Sequence, residues 1–339
     1  MAVKTLATKY RPKVFGEVVA QDSIKTILLN QIMSKTFKNA YLFTGSAGTG
    51  KTTCARIFAS EINNHRGNPI EIDGASNNGV DNIREIIEDA KKKSLESDYK
   101  VYIIDECHMI TNAGWNAMLK LIEEPPANTI FVFCTTDPQK IPQTILSRVQ
   151  RYDFTRISNK QIEERLRYIC DCEKVEVPIE VIQYVTRLAN GGMRNAITML
   201  DKVIASNDYS MANTIKVLGK ADYDVMFQLV DILESGSMSF IVLLEQLEQE
   251  GKDLKQFTEQ FLHFVIDLIK FRLVKNFDFV NIPETDTYKN IMCNEISGAF
   301  LHDILIWCSD IQSELRYSSN PKYTIEGSLM KWVIESKRC

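Results

Sequence analysis

Residues 40–52 read Ala-Tyr-Leu-Phe-Thr-Gly-Ser-Ala-Gly-Thr-Gly-Lys-Thr. A short apolar and aromatic run bounded by glycine reads as a buried strand, and the pattern after Lys51 reads as a helix. Between them Gly45, Ser46, Ala47, Gly48, Thr49, Gly50, Lys51 and Thr52 follow the spacing G-x-x-x-x-G-K-T. In a loop between strand and helix, the glycines let backbone N–H groups turn toward phosphate oxygens. Lys51 supplies a point charge, the Thr52 hydroxyl can ligate Mg²⁺, and the helix N-terminus adds its positive dipole end. A glycine-rich turn can match this spacing by chance; a strand before it and a helix after it argue against chance.

Outward from this loop, strand-like runs recur at 69–73 (PIEID), 100–105 (KVYIID), 129–136 (TIFVFCTT) and 151–154 (RYDF), with helical patterns between. Such alternation predicts crossover units around a parallel sheet, and a continuous apolar run such as FVFC fits a strand buried on both faces. Asp105 closes the third run, where it can complete a Mg²⁺ shell, and Glu106 beside it can polarise an attacking water. An acidic pair alone is as readily a strand cap, but it weighs differently once a phosphate loop precedes it. Thr135 and Thr136 end the next run and place hydroxyls nearby, although threonine is also an ordinary strand residue. Arg148, in Leu-Ser-Arg-Val, can reach a neighbouring subunit's nucleotide, and Arg194, after Gly-Gly-Met, can reach the same chain's γ-phosphate.

After Thr155 the pattern turns helical, at 160–170, 179–188 and 194–205, and from Asp222 it stays helical to the end. The predicted class is therefore α/β followed by all-α: a nucleotide-binding domain at 1–155, a helical lid at 156–220 and a helical collar at 221–339. The stretch Phe257–Val274 is apolar on more than one face, which suits subunit association.

Composition narrows the classes. The 339 residues hold 40 Lys+Arg against 44 Asp+Glu, and 45% are hydrophobic, as in soluble globular chains. A net charge of −4 excludes coating of nucleic acid by bulk charge, so any DNA contact is expected to be local. No apolar run approaches the roughly 20 residues of a membrane helix, and no signal-like segment opens the chain. Eight cysteines without a C-x-x-C pair suggest neither disulfide framework nor zinc site, and a reducing cytoplasm is the expected compartment. Met109, Met118, Met193 and Met199 sit at core spacings, Trp115, Trp307 and Trp332 read as core or interface anchors, and Lys91–Lys93 reads as a solvated helix end.

Taken in order, Lys9-Tyr-Arg-Pro12, Phe15-Gly-Glu-Val-Val-Ala-Gln21, the phosphate loop, IEIDGASNNGVDNIRE, KVYIIDECHMIT, MLKLIEEPP, TTDPQKIPQTILSR and GGMRNAITMLDK resemble the ATPase subunits of bacterial sliding-clamp loaders. These form the gamma/tau family of DNA polymerase III, within the AAA+ class. The resemblance runs through residues 5–205. It implies an ATPase that binds ATP and Mg²⁺ at subunit interfaces, opens a sliding clamp and loads it onto primer-template DNA. It implies as partners other loader subunits in a ring read as pentameric, with no membrane, in the cytoplasm of a bacterium or of a phage-infected one.

Carried over by position, the resemblance makes Ala7, Arg11, Pro12, Val18 and Val19 the adenine side. It places Gly45–Thr53 on the phosphates, Thr135/Thr136 as a first sensor, Met193 and Arg194 as a second, and Arg148 as the finger offered in trans. Lys51, Glu106 and Arg148 become the catalytic set, Thr52 and Asp105 the Mg²⁺ ligands, and Asn77, Asn78 and Arg84 the contacts to the template backbone. Gly79 stands where a Lys is expected and Val149 where a Cys often follows. A four-cysteine zinc module is missing after the first helix, so no zinc is expected, and the chain is expected to be a short or phage-type form without polymerase-tethering domains. The Asp105-Glu-Cys-His108 box also imitates helicases, but a second recombinase-like lobe is not evident. Two further readings are another AAA+ DNA-remodelling motor and a non-catalytic scaffold of the same ring.

Overall fold

The computed structural model describes residues 4–92, 97–218, 223–293 and 296–336. Lys93 and Asp222 lie outside these. The chain divides into two compact units, one of Met1–Glu176 with Ala189–Asp201, the other of Val177–Leu188 with Lys202–Cys339. The helices expected at 156–220 are shared between these two units.

The first unit holds β1 (Ala40–Gly45), β2 (Ile70–Asp73), β3 (Lys100–Asp105), β4 (Thr129–Thr135) and β5 (Gln150–Phe154), all parallel in the order β2-β3-β4-β1-β5. Its helices are α1 (Leu6–Lys9), α2 (Asp22–Ser34), α3 (Lys51–Ile62), α4 (Val80–Ala90), α5 (Asn112–Glu123), α6 (Gln143–Leu146) and α7 (Asn159–Glu173). The second unit begins with α8 (Ile179–Leu188), and α9 (Met193–Ala205) gives its first turns to the first unit.

Both faces of the sheet are covered, which is why β1 and β4 read as unbroken apolar runs. Tyr41 and Phe43 point to the side of Ile24, Leu28 and Phe58 from α2 and α3. Leu42, Phe131 and Phe133 point to the other side, against Ile83, Trp115 and Met118 from α4 and α5. Each such fully buried Phe, Leu or Ile contributes about 1.5–3 kcal/mol, so the sheet is the stable frame on which the loops at its carboxyl ends are carried. Registry aligns those ends: Thr44 pairs with Thr135, Gly45 with Phe154, and Asp73 with Asp105. Ligands of open parallel sheets bind at this edge.

Helix boundaries follow local chemistry. Ser158 and Gln161 form a capping box at α7, and Thr111 caps α5 by accepting from the Gly114 N–H. Lys35 and Lys174 close α2 and α7 in the left-handed conformation.

In the second unit α10 (Met211–Val217), α11 (Tyr223–Ser235), α12 (Phe240–Gln249), α13 (Leu254–Val274), α14 (Asp286–Cys293), α15 (Gly298–Leu315) and α16 (Pro321–Ser336) share one core with α8. Phe227, Phe261, Phe264 and Trp307 lie at its centre. The apolar helix α13 buries Phe257, Phe261, Phe264, Leu268 and Phe271, while Leu273 and Val274 at its end are exposed. Among the described residues no helix is long and apolar enough to cross a membrane. One packing expectation fails. Met118 is fully buried, but Met109 is exposed, because it lies in a single 3₁₀ turn after β3 rather than on an amphipathic helix.

Candidate active site

The loop Gly45–Thr52 leaves β1 and enters α3, as its sequence predicts. Gly48 has φ +75, and a Cβ there would meet Gly192 Cα at 3.3 Å and Arg194 N at 3.4 Å. The loop therefore packs directly on the start of α9, and this contact brings Arg194 to the phosphate loop. Lys51 is buried, and its ammonium donates to the carbonyls of Gly45 at 2.8 Å and Ser46 at 2.9 Å. Burial pushes Lys51 below its usual pKa, with the nearby acidic side chains opposing the shift.

The next group comes from β3. The Thr52 hydroxyl donates to Asp105 Oδ2 at 2.8 Å, so the two hard oxygen donors that suit Mg²⁺ are side by side. Glu106 adopts a left-handed backbone conformation, φ 45, uncommon for a residue without the local hydrogen-bonding ability of Asn or Asp. Gly74, in the loop after β2, supports that turn: its N–H donates to Asp105 O at 2.7 Å, and a Cβ would come within 2.9 Å of Glu106 O.

β4 lies between β1 and β3, so its end sits between the phosphate loop and the carboxylates. Thr135 and Thr136 are adjacent and do different things. Thr136 Oγ1 donates to Glu106 Oε2 at 3.1 Å, whereas Thr135 Oγ1 accepts from the Asp137 N–H at 3.0 Å and pairs with His108 Nδ1 at 3.1 Å.

A cleft of about 300 Å³ opens beside the loop. Of the expected residues, Ala7, Arg11, Pro12, Val18, Val19, Ala47–Thr53, Asp105, Glu106, Met193 and Arg194 line it. Gly45 and Ser46 stand behind it as acceptors for Lys51; Thr135 and Thr136 do not line it, Thr136 meeting it through Glu106 and Thr135 only through His108 and then Glu106. Arg11 is pushed below its usual pKa by burial, then by the charges of Arg56 and Arg194. Cations crowded in this way favour a polyanion.

Three residues in this region have no place among the site residues expected from sequence. Arg165, on α7, lines the cleft and donates to Tyr10 O at 3.1 Å. Gln21 is buried in a left-handed conformation; its amide nitrogen donates to Thr155 O at 2.8 Å and its oxygen accepts from Thr155 N at 3.2 Å. His108 completes the group. Gln21 had a local signal, closing the motif Phe15–Gln21, and His108 closes the Asp105–His108 box that sequence tied only to a helicase reading; Arg165 had none.

Other expected residues lie elsewhere. Arg148 is absent from the cleft of its own chain; its Nε and Nη2 both lie 2.6 Å from Glu123 Oε1, on α5. Asn77 bonds the Asp73 carbonyl through its amide at 3.1 Å, the Asn78 carbonyl accepts from the Thr111 N–H at 3.2 Å, and Arg84 pairs with Asp81 at 2.9 Å. These three share the β2–α4 connection and the start of α4. Among the described residues no group of three or more His, Cys, Asp or Glu side chains is placed to hold a metal ion.

Residues 68–158 match the family model described as DNA polymerase III, delta subunit. The chain is 32% identical to DNA polymerase III subunit tau of Bacillus subtilis, over 98% of this chain and 63% of that protein. It is 31% identical to DNA polymerase III subunit gamma/tau of Mycoplasma genitalium, over 86% of this chain and 53% of that one. With the tau subunit of Escherichia coli it shares 32% identity over 74% of this chain and 43% of that one. The chain thus spans less than two thirds of the length of these curated relatives. Among solved structures, the RuvB Holliday junction branch migration motor of Thermotoga maritima superposes with a TM-score of 0.52, at 20% identity, covering 72% of this chain and 86% of that one. At that identity the likeness shows a shared fold alone.

Proposed function

We propose, from its likeness to the bacterial DNA polymerase III gamma/tau subunits, that this chain is an ATPase subunit of a clamp loader. In this reading it uses ATP to open a sliding clamp and place it on primer-template DNA. The observation that carries the ATPase reading is one cleft in which the phosphate loop, Lys51, Arg11, Arg165 and Arg194 converge opposite Asp105 and Glu106.

The residues divide the work. Backbone N–H groups of the loop and the α3 N-terminus bind the phosphates. Lys51 exchanges its two carbonyl acceptors for phosphate oxygens; already buried, it loses little further hydration when it does. Ala7, Pro12, Val18 and Val19 give the base an apolar wall. Thr52 and Asp105 would hold Mg²⁺, which when bound neutralises charge on the β- and γ-phosphates. Glu106, held by Thr136, orients the attacking water. Arg194 adds a cation from the same chain to the γ-phosphoryl oxygens, where charge develops.

The finger role of Arg148 is supported by its position outside its own cleft, where a neighbouring subunit can replace Glu123 as its partner. Template contacts through Asn77, Asn78 and Arg84 would be few, since Asn side chains can donate to phosphate oxygens but Arg84 is engaged with Asp81. The division into nucleotide domain, lid and collar, the pentameric ring, the absence of zinc and the cytoplasmic location belong to the same proposal.

Lys51→Ala tests the ATPase reading. ATP binding, measured by titration of a fluorescent analogue, is expected to weaken at least about a hundredfold, the loss of a charge-assisted contact of ~3 kcal/mol. Unchanged affinity would remove Lys51 from the site.

A further inference from the structure

We infer that His108 is a positioning residue: it sets the hydrogen-bonding direction of Thr135 and helps hold the Glu106 carboxylate in place. This rests on the ATPase reading above and goes beyond it.

His108 is nearly buried, its side chain 12% exposed, and one ring atom faces two site residues: Nδ1 lies 3.1 Å from Thr135 Oγ1 and 3.3 Å from Glu106 Oε2. A carboxylate can only accept. An Nδ1 without hydrogen would set its lone pair against that oxygen, so the arrangement selects the tautomer with hydrogen on Nδ1. That N–H donates to Thr135 Oγ1, with its positive edge toward Glu106.

The consequence falls on Thr135. Its oxygen already accepts from the Asp137 N–H at 3.0 Å. With His108 as second donor both lone pairs are occupied, and the Thr135 hydroxyl hydrogen can serve only as a donor. A fully buried threonine at the end of β4 thereby acquires a fixed polarity suited to an anionic or water oxygen. Glu106, meanwhile, is met at one oxygen, Oε2, by two groups, the Thr136 hydroxyl at 3.1 Å and the His108 edge at 3.3 Å. Holding a general base in one orientation is worth more in turnover than in substrate binding.

Two near-isosteric substitutions isolate the donor. In His108→Asn the amide nitrogen can take the place of Nδ1 and donate, whereas the carboxylate of His108→Asp cannot donate and repels Glu106. The full chain, purified with the subunits it associates with, is assayed for steady-state ATP hydrolysis and for ATP affinity. His108→Ala is expected to lower kcat about tenfold or more with KM and affinity within twofold. His108→Asn should recover a third or more of wild-type kcat, and His108→Asp should fall below His108→Ala. Should His108→Ala not fold, the Asn and Asp pair carries the comparison. Equal activity of Asn and Asp, or a change in KM without one in kcat, overturns the inference. Wild-type protein that binds no ATP removes the ATPase reading and this inference together; wild-type turnover with His108→Ala unimpaired removes only the inference.

Discussion

At the scale of single residues, Gly48 ties the phosphate loop to the second cationic arm. Its φ of +75 and the 3.3 Å approach of Gly192 Cα mean that a side chain is strained there and forces the start of α9 to give by a few tenths of an ångström. A left-handed non-glycine residue costs roughly 1–2 kcal/mol, and crowding against backbone adds to that. Gly48→Val is therefore expected to weaken ATP binding tenfold or more by moving Arg194 away, with far-UV circular dichroism unchanged. Affinity within twofold of wild type would mean that the contact does not set the site. The glycines, Lys51, Thr52 and Asp105 were legible because each stands at a fixed distance along the chain from a strand end. The division of labour between Thr135 and Thr136 was not. Successive residues at a strand end point opposite ways, and which of them meets Glu106 depends on the left-handed turn at Glu106 itself. Arg165 was hidden, and His108 was seen only as the end of a helicase-like box, for a related reason: their importance lies in what they touch across the fold.

Among elements, β3 and α4 are joined by a polar clasp. Asp89 of α4 accepts from Lys100 Nζ at 2.8 Å and from the Tyr102 hydroxyl at 2.7 Å. These bonds, Lys100 first, hold its carboxyl below the usual 3.8. The folded protein thus binds this proton less tightly than the unfolded chain does. The contribution is complete above the unfolded value and is lost as pH falls through the lower folded one. Because Asp89 is half-exposed, solvent screening keeps the gain to about 1 kcal/mol or less. Asp89→Asn is expected to lower urea-unfolding stability at pH 7 by up to that amount, and by less at pH 3.5; an equal loss at both would contradict the clasp. Strands were readable almost to the residue because the sheet is buried on both faces, and the helices of the second unit because Gly236, Gly251 and the Asn281–Thr285 stretch interrupt them. Met109 was misjudged because apolar spacing alone cannot distinguish a helix from a 3₁₀ turn.

For the whole molecule, a net charge of −4 and an Arg148 turned to Glu123 both fit a chain that works beside others. Several subunits around a shared chamber can supply a field that one cannot. The most direct measurement is ATP hydrolysis by the chain with its associated subunits, wild type and Arg148→Ala, in the presence of primer-template DNA with a sliding clamp or of a Holliday junction. A clamp-loader ATPase predicts stimulation, several-fold or more, by primed DNA plus clamp alone, and its loss in Arg148→Ala with ATP affinity retained. Equal stimulation by the junction, or full stimulated turnover without Arg148, would contradict it.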